Sequence, residues 1–284
     1  MAMETPAASS APAPYTVGAA ITFGWKKSWK NFWWLLLVAI IMSAINGVVN
    51  AIFTWHGTPN YDFSQLSNPS TMDMGQVVAG QGGMSGAEAG LVAVGGIVQF
   101  LVSIFFALGI VRIALAVTTG DRVHIGKLFG FHGYGRYLGS SIIVGIVITI
   151  GIAIPTVIGL VITIAANQVA WVIIGLLLGI ILGFVVALFF CLYGYAILGE
   201  EAKGLSGLSR SWDLVKPHFG QILGLQVLLA LITIGIVVVA IVGGILLICI
   251  GLLATIPIAL TLILGIPALA YAYTYRVLSG QPVA

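Results

Sequence analysis

Over most of its length the chain's apolar positions neither alternate nor recur as a narrow stripe; they run on. Six such runs predict six transmembrane helices, at about 32–54, 91–117, 138–166, 169–198, 219–242 and 245–275. Each is close to or above the ~20 residues that a helix needs to cross ~30 Å of hydrocarbon. A barrel is excluded, because its strands are only ~9–11 residues long and alternate in polarity. The third, fourth and sixth runs are long enough to tilt, kink or protrude.

Between the runs a different period surfaces. Ahead of the first span, Val17, Ile21, Trp25 and Trp29 recur every four residues with lysines beside them. Ahead of the fifth, Leu205, Leu208, Trp212, Val215 and Phe219 alternate steps of three and four. Ahead of the third, Ile125, Leu128, Phe129 and His132 are a poorer match. Such segments predict helices lying in the membrane interface, apolar face down, with Trp25, Trp29 and Trp212 at the boundary. The expected fold is therefore all-α and polytopic. It has three repeated units of interfacial helix plus transmembrane hairpin, around an approximate axis along the membrane normal. Residues 15–278 form one six-helix domain. Residues 1–14, rich in Ala, Pro and Ser, predict a disordered tail, 55–90 an extracytoplasmic loop and 279–284 a short cytoplasmic tail. The first run is too long for a signal-peptide core and reads as an uncleaved span.

Composition sharpens this picture. Charged residues are 7% of the chain and hydrophobic ones 60%, whereas a soluble domain carries about 25% charge. The basic residues also fall on one side. Lys26, Lys27 and Lys30 precede the first span, and Arg112 sits near the inner end of the second. Arg122, Lys127 and Arg136 lie between the second and third, and Lys203, Arg210 and Lys216 between the fourth and fifth. Arg276 follows the sixth. The other connections carry none, so the positive-inside rule places both termini in the cytoplasm. The net charge of +3 contains no basic cluster, and nucleic acid is not an expected partner. Cys191 and Cys249 fall at different depths within apolar runs and are expected as unpaired, buried thiols.

Thirty-seven glycines are many, and some are spaced for helix contact. Gly175, Gly179 and Gly183 form a ridge at a four-residue step in the fourth span, continued by Ala187 and Cys191; Gly220 and Gly224 repeat the step in the fifth. Small residues so placed let two helix backbones approach closely, within the bundle or between copies. Pro155, Pro257 and Pro267 fall inside spans and predict kinks.

Candidate chemistry is sparse. The central parts of the spans hold no Asp, Glu, Lys or His, which disfavours ion-coupled transport. Asn46, Asn50, Gln99 and Gln226 read as interhelical hydrogen-bonding groups. On the cytoplasmic side, Asp121, His124, His132, Glu200, Glu201, Asp213 and His218 match no metal-ligand spacing, so no catalytic set, cofactor or metal is expected. Gly130, Gly133, Gly135 and Gly139 have the wrong spacing for a phosphate loop. His56, Met72, Met74 and Met84 form no repeated copper motif. Asn68 is followed by Pro69 and is no glycosylation site.

Several stretches together resemble a known group. They are Phe23-Gly24-Trp25-Lys26-Lys27, Leu128-Phe129-Gly130-Phe131, Glu200 through Gly204 with Ser211 through Lys216, and Tyr271 through Arg276. Over roughly residues 15–278 the chain resembles a bacterial family of six-helix integral membrane proteins of unknown function. That family is related to the membrane domain found ahead of some glycerophosphoryl diester phosphodiesterases. Glu200 stands where the family often has Asp, and the glycine that usually follows the proline is missing after Pro155. The resemblance implies a membrane domain, with no phosphodiesterase counterpart and no catalytic residues to carry over. The expected function is a non-enzymatic membrane scaffold or accessory protein, with membrane lipids and a homo-oligomer or membrane protein as partners. The alternatives are a carrier or pathway for a small or lipidic molecule, not ion-coupled, and a membrane-interface enzyme.

Overall fold

A computed structural model of the chain describes residues 15–54, 86–121, 125–166, 168–200, 205–246 and 250–284. The expected N-terminal tail and most of the loop at 55–90, with Trp55, His56, Met72, Met74 and Met84, lie outside these residues. So do Arg122, His124, Glu201, Lys203 and Cys249.

The described residues form nine α-helices and no strand. They are α1 (Val17–Lys30), α2 (Phe32–Thr54), α3 (Gly86–Thr118), α4 (Tyr134–Ala166), α5 (Ala170–Phe189), α6 (Tyr193–Gly199), α7 (Ser206–Val215), α8 (Phe219–Leu246) and α9 (Ile250–Leu278). Six helical segments among them are long and apolar enough to cross a membrane. The chain divides into two compact units, one comprising Ile40–Phe105 and the other Met1–Ala39 with Phe106–Ala284.

In the smaller unit, α2 and α3 approach where Gly95 faces the Phe53 ring; a Cβ at Gly95 would lie 2.5 Å from that residue's Cβ. The Gln99 amide donates to Asn46 Oδ1 at 2.5 Å, while Asn46 Nδ2 donates to the Met42 carbonyl at 2.9 Å. Two side-chain amides thus meet inside an apolar pair of helices, and the Gln99 amide N–H gains an acceptor there.

The larger unit is organised from its basic end. α1 begins at Thr16, whose hydroxyl accepts from the Ala19 N–H at 3.3 Å, an N-cap that satisfies a free donor. It ends at Asn31, whose side chain donates to the Lys27 carbonyl at 2.9 Å, and α2 starts at the next residue. Gly24 brings α1 onto α9: a Cβ there would sit 2.7 Å from the Ile266 carbonyl oxygen. Around this crossing Ala20, Leu225, Leu229, Leu262, Ile266 and Ala270 form a buried cluster, flanked by Val17 and Ile21.

Several boundaries differ from the sequence reading, beginning with α3, which starts at Gly86, inside the loop expected at 55–90. The third span starts at Tyr134, just after Gly133 turns the chain with φ +75°. The fourth breaks after Phe189, and α6 begins at Tyr193. Ser211 of α7 caps this break from outside, accepting from the Leu192 N–H at 3.3 Å and donating to the Phe189 carbonyl at 2.8 Å. The helix can stop there because a neighbour satisfies two of the groups that a helix end frees. The fifth continues to Leu246 and the sixth runs Ile250–Leu278, because the apolar run crossing 243–250 carries no polar punctuation. The segment before the third span forms only a 3-10 turn, Ile125–Lys127, unlike the helices α1 and α7.

Candidate functional site

At the basic end the chain packs as a soluble core does. Leu108, Leu128, Leu192, Ala196, Val215, Leu225 and Tyr275 are fully inaccessible. Arg112 of α3 donates to the carbonyls of Gly130 and His132, pinning the turn that leads into α4. The Tyr193 and Ser141 hydroxyls lie 2.8 Å apart, and the Tyr193 ring stacks on Tyr137 at 5.2 Å. The Tyr195 hydroxyl donates to the Ala268 carbonyl at 2.9 Å. Tyr15 meets Thr274 at 3.3 Å, and burial raises its phenol above the ordinary value, against the opposing effect of that hydrogen bond. Gly280, with φ +72°, closes α9 by a C-cap turn in which the Gln281 N–H reaches the Arg276 carbonyl at 2.8 Å. The chain then returns, and Ala284 donates to the Thr118 carbonyl and accepts from Lys27 Nζ at 3.0 Å.

The titratable groups at this end engage separate partners. Asp121 pairs with Lys127 at 2.9 Å. Glu200 receives Arg210 through both Nε and Nη2 at 3.1–3.2 Å. His218 Nδ1 lies 3.2 Å from the Leu214 carbonyl. No group of three His, Cys, Asp or Glu that would hold a metal occurs among the described residues.

The glycine ridge of α5 faces α4. Gly175 lies against the Pro155 carbonyl and Gly159, Gly179 against the Ile152 backbone and Gly183 against the Ile152 and Ile148 side chains. A Cβ at Gly179 would meet the Ile152 carbonyl oxygen at 2.6 Å. The ridge stops before Cys191, which sits in the break between α5 and α6. Gly220 and Gly224 differ: a Cβ at either meets nothing within 4 Å.

Two groups of aromatic residues sit near the basic end, one on α1 and α2 and one on α5, α7 and α8. Trp25 and Trp29 have ring centroids 6.1 Å apart, and Trp29 stacks on Phe32 at 5.4 Å. Trp212 stacks on Phe189 at 4.1 Å, and Phe189 on Phe219 at 5.4 Å. All three tryptophans remain partly exposed, at 41–47%.

One concavity of substantial size adjoins this belt. Ile232, Gly235 and Ile236 of α8 and Ile258, Ala259 and Leu262 of α9 face a groove of about 390 Å³, bounded by Trp25 of α1. The volume falls in the range of small-molecule sites. It exists because Gly235 and Ala259 present little or no side chain. The two helices approach again beyond it, where a Cβ at Gly243 would contact Thr255 at 3.5 Å. Sequence reasoning missed this groove, since Trp25 lies far along the chain from the α8 and α9 hairpin that it bounds. By contrast, the void between Leu35, Val38, Ile113, Gly265 and Leu269 holds only about 10 Å³.

These features define the class: a multi-pass α-helical membrane protein. No protein-family model matches the chain, and no curated protein and no solved structure matches it either.

Proposed function

We propose that the chain is a non-enzymatic membrane scaffold or accessory protein of the bacterial plasma membrane, with both termini cytoplasmic. The orientation rests on the basic residues gathered at one end of the spans. The function rests on α4 and α5. Their glycine ridge is already occupied by each other, and along the rest of their length large apolar side chains point away from the chain: Ile146, Ile154, Ile173 and Ile181 are each more than half exposed. A hairpin held rigid by close backbone contact, with free faces of branched aliphatic residues, is a surface for helices of another membrane protein or a second copy.

The test is native mass spectrometry of protein extracted gently from its own membrane. A defined oligomer or a stoichiometric protein partner supports the scaffold. Monomer alone under every extraction condition overturns it.

The groove beneath Trp25 favours a second reading, a pathway for a lipidic molecule. Reconstituted protein would then speed the exchange of fluorescent lipid between leaflets. Exchange no faster than in protein-free vesicles sinks that reading.

A further inference from the structure

We propose that the face of α1 formed by Trp25, Lys26, Trp29 and Lys30, together with the groove between α8 and α9, binds one anionic phospholipid from the leaflet on the basic side. This rests on neither the scaffold nor the pathway reading, because a retained lipid needs no partner and no transport.

The argument starts from the three lysines of α1, which are not equivalent. Lys27 is engaged, donating to the Ala284 carbonyl and lying 5.3 Å above the Phe23 ring. Lys26 and Lys30 are exposed, and neither has an ion pair or hydrogen bond among the described residues. They are four residues apart and so emerge on one side of the helix. Trp25 and Trp29, also four apart, stand beside them. Cations next to indoles at the end of a span are suited to a phosphate at headgroup level, with the rings at the boundary of the hydrocarbon.

The groove supplies the other half. It starts at Trp25, runs between α8 and α9 and is closed where Gly243 meets Thr255. Apart from Thr255 its lining is apolar, so its natural occupant within a bilayer is an acyl chain. Trp25 belongs to both halves, lining the groove with its ring while its neighbour Lys26 faces outward. A phosphate on Lys26 and Lys30 thus places an attached chain at the mouth of the groove. The two lysines set the preferred headgroup as anionic; a zwitterionic lipid of the same chains fits the groove and gains less from the cations.

The experiment uses the full chain in detergent micelles, titrated with dioleoyl phosphatidylglycerol or dioleoyl phosphatidylcholine, with retention read by native mass spectrometry. The expected result is one tightly held phosphatidylglycerol, preferred over phosphatidylcholine. Each lysine contributes a factor of about five, so Lys26→Gln with Lys30→Gln lowers the preference by about twenty-five-fold. Lys26→Arg with Lys30→Arg keeps it. Gly235→Phe fills the groove from a position where a new Cβ meets nothing within 4 Å, and lowers retention of both lipids while helical content is unchanged. Equal retention of the two lipids by the native protein overturns the proposal. So does an unchanged preference in the double Gln variant, or native-like retention by a folded Gly235→Phe variant.

Discussion

The basic end and the α4–α5 hairpin belong to the same compact unit but hold together by opposite means. At the basic end, helices of 7 to 14 residues and the ends of longer ones interlock through large side chains. Tyr275, Leu128 and Leu192 are buried there, and hydroxyls and a guanidinium complete the hydrogen bonding that broken helices leave open. In the hairpin, side chains do almost none of this. Two helices lie backbone against backbone along Gly159, Gly175 and Gly179, and most of their larger residues face outward. The difference follows from the solvent. Where water reaches, burying apolar side chains drives packing. Where hydrocarbon surrounds the helices, a buried Leu gains little over an exposed one, and close van der Waals approach takes over.

This contrast sets the order of expected effects. Gly179→Leu should be the largest. Its Cβ would lie 2.6 Å from the Ile152 carbonyl oxygen, a backbone atom that cannot rotate aside. A loss of about 3 kcal/mol is expected, measured as a lower midpoint in detergent-denaturant unfolding. A near-native midpoint would mean that backbone approach does not hold the hairpin. Ser211→Ala comes next, at about 2 kcal/mol, because it strands the Leu192 N–H and the Phe189 carbonyl in a buried place. Amide exchange should quicken at Cys191 and Leu192 and not along α4; acceleration along α4 instead would merge the two regions. Tyr193→Phe keeps the stack on Tyr137 and removes only the hydroxyl facing Ser141, for about 1 kcal/mol. Gly224→Leu is expected to be the mildest for the monomer, within about 0.5 kcal/mol, because nothing lies within 4 Å of its Cβ position. If it leaves folding unchanged yet abolishes an oligomer seen by native mass spectrometry, that face of α8 is where the copies meet.

The two regions also differed in how far they could be read from sequence. The six spans were legible because length and apolarity alone decide whether a helix can cross a bilayer. The ridge at Gly175, Gly179 and Gly183 was legible as a close-packing surface, but not which helix it meets. At the same four-residue step, an added Cβ on Gly220 or Gly224 meets nothing within 4 Å among the described residues. Spacing states what a helix can accept; only the tertiary arrangement supplies the partner. The break after Phe189 was hidden, because Phe-Phe-Cys-Leu-Tyr reads as one apolar run and the residue that permits the break, Ser211, belongs to another helix. The groove was hidden for the same reason: nothing in the spacing around Trp25 says that its ring meets α8 and α9.

Ser211 also has a consequence for how the molecule is made. It lies 19 residues after Leu192 and 22 after Phe189, so a ribosome releases the open helix end well before the side chain that closes it. The fourth span must wait, half finished, with two main-chain groups held by water or by the insertion machinery. Nascent chains arrested just before Ser211 emerges should exchange the Leu192 amide freely. Chains long enough to have folded α7 should protect it, making this one hydroxyl a timer for when the basic end of the span is sealed.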